Sequence, residues 1–325
     1  MAESIGNSPR LVTIFGGSGF IGRHLVRAMV KRGWRVRVAV RRPDLAGHLQ
    51  PLGQVGQIHG VQANLRYPQS VRAAVESADA VVNLVGILHQ SGRQTFHAVQ
   101  AEGARAVAQA TAAAGIRTLV QMSAIGAEKG SPALYADSKA RGEEAVLQAM
   151  PSAVITRPSV VFGTEDNLLN QFAGLARMLP VMPLIGGGVT KFQPVFVGDV
   201  AEAIAMIVEG QAKAGTVYEL GGPRVMTLKE IIEYVLQATG RKRLLLPVPF
   251  PLAEIKGAIL ELLPKPMLTR DQVEMLKSDC VVSESASAEG RTLAGLGITP
   301  ATVEAVAPEY LWRFRKAGQF SASEA

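Results

Sequence analysis

One segment constrains this chain more than any other: Leu11-Val-Thr-Ile-Phe-Gly16-Gly-Ser-Gly19-Phe-Ile-Gly22-Arg-His-Leu25. An apolar run rich in β-branched residues ends at Gly16 and reads as a buried strand. Glycines recur at positions 16, 19 and 22, and Leu25, Val26, Met29 and Val30 follow at helical spacing. Strand, tight turn and helix N-terminus in succession leave backbone N–H groups and the positive end of a helix dipole converging on one spot, where a pyrophosphate can sit. Gly16 permits the turn, Gly19 lets phosphate approach the backbone, and Gly22 lets helix and strand pack closely. Ser18, Phe20 and Ile21 complete the expected cradle. The plainer alternative is an ordinary strand-to-helix turn that happens to hold three glycines.

The next strand narrows the ligand. Gly33 ends the first helix, and Trp34-Arg-Val-Arg-Val-Ala-Val40 reads as strand two. A site for NAD places Asp or Glu at the end of that strand to hold the ribose 2′-hydroxyl. Here Arg41 and Arg42 stand there, and the first acid, Asp44, lies beyond Pro43. A guanidinium grips a 2′-phosphate through paired, charge-assisted bonds, whereas a carboxylate repels it. NADPH is therefore favoured over NAD, the alternative being that both arginines are solvated loop charges. Arg23, directly after the third glycine, is a further candidate for phosphate.

Strands are expected near 10–16, 35–40, 56–61, 79–84, 117–122 and 152–156, alternating with helices near 20–32, 68–77, 94–114 and 133–149. Such alternation predicts an α/β fold: a Rossmann-type, doubly wound parallel sheet covered by helices on both faces. From Pro158 onward Gly186-Gly-Gly188, Pro180, Pro183 and Pro194 break the pattern, and helices return near 198–209, 227–238 and 269–277. The expected division is a nucleotide-binding domain over 1–157, a smaller lobe over 158–282 interleaved with the sheet, and a loosely ordered tail over 283–325. Within that tail Leu293, Leu296, Ile298, Tyr310, Leu311 and Trp312 are candidates to dock again.

Composition excludes several classes. The 325 residues are 48% hydrophobic, enough for a substantial core, yet no stretch reaches the roughly 18 to 20 uninterrupted apolar residues of a membrane helix. The first ten residues carry neither signal-peptide nor transit-peptide character. A single cysteine, Cys280, rules out an internal disulfide and suits a reducing compartment. The net charge of +7 points to an acidic partner or anionic head groups. Dispersed basic residues and few aromatics argue against nucleic acid. His24, His48, His59, His89 and His97 lack metal-ligand spacing, so no metal site is expected.

A second constellation is Tyr135-Ala-Asp-Ser-Lys139, at the start of the helix after strand five. Residues four apart share a helical face, and an ammonium beside a phenol favours phenolate, so the tyrosine can exchange a proton with a carbonyl or alcohol. The lysine can also hold the nicotinamide ribose. Ser123 is the only hydroxyl at the end of strand five, with Ala124 beside it. It is either the third catalytic group or only a strand-end residue.

The glycine motif, Asn83-Leu-Val-Gly86 and the Tyr135/Lys139 pair resemble the short-chain dehydrogenase/reductase superfamily in its extended or atypical branch. Three later blocks resemble, within it, the NADPH-binding accessory subunits of respiratory complex I and their bacterial relatives: 157–172 with its Gly163-Thr-Glu-Asp166, 191–200, and Leu268-Thr-Arg-Asp-Gln-Val273. The likeness runs from about Leu11 to about Cys280. It implies NADPH held at the junction of the peripheral and membrane arms, near the quinone-reducing region, with no established turnover. It also implies cofactor contacts from Leu84, Gly86, Pro158, Tyr135 and Lys139. Superfamily members often carry Asp-Leu after strand three to bind adenine; here Asn64-Leu65 stands there, and the asparagine oxygen still accepts that hydrogen bond. Without a presequence the chain looks like a bacterial form, peripheral on the cytoplasmic side of the inner membrane. The alternative is a free-standing NADPH-dependent reductase, or an epimerase or dehydratase, of a small or lipid-like substrate.

The stretch 244–263 bears on that choice. It is highly apolar but broken by three prolines and three charges, and flanked by Arg241-Lys-Arg243 and Lys265. It is expected either to bury Phe250, Ile255, Ile259 and Leu262 in an anionic lipid surface or an acidic subunit, or to form an ordinary core segment of the smaller lobe.

Overall fold

The computed structural model describes residues 9–261, 263 and 266–316. β1 (Leu11–Phe15), β2 (Arg35–Val40), β3 (Ile58–Gln62), β4 (Ala80–Asn83), β5 (Thr118–Met122) and β6 (Val154–Pro158) form a parallel sheet with a seventh strand, Val217–Leu220. Its spatial order is Val217–Leu220, β6, β5, β4, β1, β2, β3. The chain builds outward from β1 to β3 and then returns to the other side of β1, which opens the switch point where such sheets bind ligands. Phe15 stands level with Ala39 on one side and Asn83 on the other, so three strands finish together there.

The helices are α1 (Phe20–Lys31), α2 (Pro68–Val75), α3 (Glu102–Ala113), α4 (Leu134–Ala149), α5 (Leu168–Met178), α6 (Val197–Val208), α7 (Leu228–Ala238), α8 (Phe250–Leu260) and α9 (Arg270–Met275). The helix expected over 94–114 is interrupted: His97–Ala101 is a single π turn that runs into α3.

The described residues fall into two compact units. The first draws on Met1–Ser123, Ala140–Thr156 and Ala201–Val217; the second on Ala124–Lys139, Arg157–Val200 and Tyr218–Ala325. In the first, Val12, Ile14 and Phe15 are all buried, as parallel strands covered on both faces require. Phe15, Val81, Leu119 and Ile155 pack there with Val71 and Val75 of α2 and with Ala104, Val107 and Ala108 of α3. Arg32 at the end of α1 pairs with Glu202 and Glu209.

The second unit has its own core: Phe162, Leu169, Ile231 and Val235 pack with Val303, Tyr310 and Leu311. Residues 283–316 are thus not the loosely ordered segment expected. Short helices at Glu284–Ala288, Val303–Val306 and Pro308–Leu311 bury Ala286, Val303, Tyr310 and Leu311, with Leu293 and Leu296 buried as well; residues 317–325 lie outside the described residues. The anchor is polar. The buried Asp166 carboxylate accepts hydrogen bonds from the Tyr310 hydroxyl at 2.7 Å, the Asn170 N–H at 3.0 Å and the Gly163 N–H at 3.2 Å.

The 244–263 stretch divides. Leu244–Val248 pairs in parallel with Val181–Ile185, and Phe250 packs on the backbone of Gly186, where any Cβ would meet its ring. Ile255 and Ile259 of α8 stay 60% and 61% exposed, whereas the helix buries only Ala253 and Gly257. Leu262 and Lys265 lie outside the described residues.

Burial holds the Asp166 carboxyl above its ordinary value, and its donors, Tyr310 first, pull it back down. Tyr310→Phe removes one donor from a buried carboxylate and should cost about 1–3 kcal/mol in denaturant unfolding. Because burial raises the folded-state value, this group favours the fold in acid and loses that contribution as pH rises. The deficit of the variant should therefore be larger at neutral pH than in mild acid; equal stability of the two proteins at neutral pH refutes the anchor.

Candidate functional site

In the first unit the turn after β1 is built as the glycine spacing implies. Gly16 has φ +78, its N–H donates to Ala39 O at 3.1 Å, and Gly19 N–H donates to Gly16 O at 3.0 Å. A Cβ on Gly22 would lie 2.4 Å from Gly16 O and 2.6 Å from the Gly17 carbonyl carbon. Only glycine there allows α1 to sit directly on the turn. Gly19 caps α1 without a side-chain hydrogen bond, and the first turn carries no acid. The N–H groups and dipole of α1 are therefore left for an external anion. Gly19 itself is exposed, with Ser18, Phe20 and Ile21 half-buried around it.

Arg41 and Arg42 diverge. Arg42 is held bidentately by Asp44, at 2.7 and 3.2 Å. Arg41 is exposed and makes no side-chain hydrogen bond or ion pair among the described residues. Arg23 turns to the carbonyl oxygens of Gly19 and Ser18 at 3.4 and 3.5 Å. The Asn64 side-chain oxygen accepts from Arg66 N–H at 3.1 Å, and Leu65 fills the space left by Gly103 of α3. Beyond β4, Leu84 N–H donates to Phe15 O at 3.0 Å and Gly86 is exposed.

Three buried polar atoms of this unit lack hydrogen-bond partners among the described residues: Ser123 Oγ, Gln100 Oε1 and Trp34 Nε1, whose ring lies under the Arg10 guanidinium. Ser123 is fixed through its backbone N–H, which donates to Thr156 O at 2.7 Å, so its hydroxyl does not close the strand end. The Gln100 amide, carried on the π turn, donates to Ile87 O at 3.2 Å. Each unsatisfied atom costs free energy unless a water or ligand meets it. Gln100 had no sequence signal, because the π turn that aims it is invisible to helical periodicity.

In the second unit Lys139 is buried, with Nζ 5.8 Å from the Tyr135 ring centroid. The phenolate expected from that proximity is not favoured here. Burial pushes the Tyr135 phenol well above its ordinary value, and the nearby Cys280 and Asp271 push it the same way. The Pro158 carbonyl accepts from Ile125 N–H at 3.0 Å. Ser159 Oγ donates to Cys280 O at 2.6 Å, and Gln193 bridges Gly222 O and Val282 N–H at 2.8 and 3.0 Å. Asp271 accepts from the Leu134 and Tyr135 N–H groups. Sequence reasoning marked the blocks that hold Gln193 and Asp271 but singled out neither residue. Thr269 and Gln272 form a reciprocal cap on α9, a T-x-x-Q signal that locates the helix but not the carboxylate inside it. Among the described residues, no group of three or more His, Cys, Asp or Glu is placed to hold a metal ion.

Residues 12–221 match the NAD dependent epimerase/dehydratase family. The chain belongs to that family. Among its relatives is NADH dehydrogenase [ubiquinone] 1 alpha subcomplex subunit 9 of Arabidopsis thaliana, 35% identical over 95% of this chain and 79% of that protein. The rat subunit of the same name is 32% identical over 94% and 80%. A ceramide reductase of Caulobacter vibrioides is 31% identical over 77% of each. Among solved structures, an NADPH-dependent quinone oxidoreductase of Escherichia coli aligns with a TM-score of 0.72 at 20% identity, covering 93% of this chain and 99% of that one. At that identity the likeness speaks for the epimerase/dehydratase fold alone.

Gly22→Ala tests the turn. With backbone atoms 2.4–2.6 Å from the added carbon, α1 must move, at a cost of about 1–3 kcal/mol. The melting temperature should fall, and any dinucleotide-induced rise in it should vanish; a variant that melts and responds like the parent refutes the close packing.

Proposed function

We propose that this protein is an NADPH-binding accessory subunit of respiratory complex I, peripheral on the cytoplasmic side of a bacterial inner membrane. The observation that carries the reading is the likeness to the eukaryotic subunits, which covers 94–95% of this chain and 79–80% of theirs and so extends past the nucleotide-binding half into the 268–280 region. Gly16, Ser18, Gly19, Phe20, Ile21 and Gly22 would hold the pyrophosphate, with Arg41 on the 2′-phosphate. Asn64 and Leu65 would meet the adenine, and Leu84, Gly86 and Pro158 would line the remainder. When bound, the dinucleotide would supply a hydride; in the second unit Tyr135 would supply or take a proton with Lys139 as helper, and Ser123 of the first unit is the further candidate. In the accessory-subunit reading these three groups are vestigial.

The contact with the membrane would lie on the second unit. Leu244, Leu246, Leu252, Ile255, Ile259 and Leu263 are at least half exposed. Lys256 follows Leu252 by four and precedes Ile259 by three, which places it on the same face. Lys242, Lys256, Arg177 and Arg270 form no ion pair among the described residues. Glu254 and Glu274 are both taken by Lys277. An unpaired lysine inside an apolar stripe suits an anionic lipid surface, where the ammonium rises to the head groups. Among the described residues, no helix is long and apolar enough to cross a membrane. The quinone-reducing region is the proposed neighbourhood.

One observation favours the second reading, an NADPH-dependent reductase of a lipid-like substrate. The Tyr135/Lys139 pair is retained and the buried Ser123 hydroxyl has no partner among the described residues. A relative named a ceramide reductase points the same way.

Arg41→Ala should weaken NADPH binding about ten- to a hundredfold while leaving NADH binding nearly unchanged, as loss of a charged hydrogen bond to phosphate predicts. Equal affinity of the parent protein for both nucleotides, read by titration, rejects NADP selectivity. The two functions separate on Tyr135→Phe, which keeps the ring and removes the transferable proton. An accessory subunit should still assemble and support NADH:quinone activity, whereas Ile255→Asp with Ile259→Asp should release it from the complex while it stays folded. A true reductase should lose about 10²- to 10⁴-fold in rate. Robust NADPH turnover by the free protein, abolished in Tyr135→Phe, reverses the ranking.

A further inference from the structure

Asp271 belongs to none of the groups that bind nucleotide or move a proton. It lies in the first turn of α9, yet its carboxylate turns to the start of α4. Oδ1 accepts from the Leu134 N–H at 2.5 Å and Oδ2 from the Tyr135 N–H at 3.2 Å. Two of the N–H groups that a helix start leaves unsatisfied are thus capped from 136 and 137 residues away in sequence. The negative charge also suits the positive end of the α4 dipole. Asp137, the acid in the first turn of α4 itself, accepts from the Gly130 N–H at 2.8 Å.

Asp271 is itself firmly placed. Thr269 and Gln272 cap α9 reciprocally, each bond near 3 Å. Arg270 N–H donates to Glu261, just past α8, at 2.6 Å. Gly257 of α8 lies against the Thr269–Arg270 backbone so closely that a Cβ would stand 3.0 Å from Arg270 N. Backbone contact at glycine, a carboxylate on Arg270 and a carboxylate on Tyr135 therefore run in series from α8 through α9 to α4.

We propose that Asp271 is the positioning residue for Tyr135, and that α8 and α9 transmit events at the exposed face of α8 to the start of α4. The second part rests on the membrane reading above; the first does not. The environment of the phenol agrees with it: Lys139 stands by the ring, and Cys280 and Asp271 both act on the hydroxyl from outside α4.

The test is hydrogen exchange read by mass spectrometry on the full chain, with the alkaline absorbance titration of Tyr135 as a second readout. In Asp271→Ala, exchange over the first turn of α4 should rise about tenfold or more, as loss of a charged acceptor predicts. Tyr135 should also titrate at lower pH, read as the difference from the same variant carrying Tyr135→Phe. Asp271→Asn keeps one of the two oxygen acceptors, so it should restore protection only in part. Unchanged exchange at the start of α4 in Asp271→Ala overturns the proposal, as does an equal rise throughout the second unit with no shift in Tyr135. Vesicles containing phosphatidylglycerol should slow exchange over both α8 and the start of α4 in the parent protein, and over α8 alone in Asp271→Ala. Protection of α8 alone in the parent overturns the transmission. Absence of protection at α8 overturns the membrane reading and the transmission with it, and leaves Asp271 judged on the solution result.

Discussion

The contact between Gly22 and the Gly16–Gly17 backbone is the constraint from which the nucleotide-binding half follows. With Gly16 O only 2.4 Å from where a Cβ would stand, α1 sits on the turn with no side chain between them. Its axis is then set relative to β1, and its uncapped first turn is presented at the end of the sheet. The same turn is tied to β2 by the Gly16 N–H on Ala39 O. Because Arg41 follows Ala39 by two residues, one backbone hydrogen bond ties the glycine turn to the end of β2. Pairing by Asp44 then separates two adjacent arginines that sequence alone treats alike.

The buried polar groups of the two units differ in a way that bears on chemistry. In the second unit they are satisfied: Asp166 takes three donors, Gln193 uses both ends of its amide, and Ser159 donates to a carbonyl. Asp166 and Ser159 lie in 157–172 and Gln193 in 191–200, two of the blocks by which the chain resembles complex I subunits, and in both these side chains serve folding. In the first unit the Asn83 amide donates to Gln121, while Ser123, Gln100 and Trp34 keep open atoms among the described residues. Open buried acceptors and donors are costly in a finished core and are expected where something else is to bind.

Helix α8 inverts the usual arrangement of an amphipathic helix. It buries Ala253 and Gly257 and exposes Leu252, Ile255 and Ile259. Small residues inside let α8 approach α9 at backbone distance, and the large residues are left to face outward. An exposed aliphatic stripe of this kind is a feature that a monomer's surface seldom carries without use, and Lys256 within it forms no ion pair among the described residues.

Much of the fold was legible in the sequence. The six strands β1 to β6 and the helices α1, α2 and α4 lie within a few residues of where alternation and glycine spacing place them, because each is a local pattern: a β-branched run, an amphipathic period, a glycine at a forced turn. The glycine cradle was legible for the same reason. Tertiary structure decided what depends on partners distant in the chain. It docked residues 283–316 through Tyr310 on Asp166, 144 positions away. It occupied Arg42 and left Arg41 exposed, buried Lys139, and through burial raised the Tyr135 phenol above its ordinary value. It also placed Asp271 on the start of α4. A residue type and a spacing state what a side chain can do; burial and the neighbours brought by the fold decide which of those capacities remains.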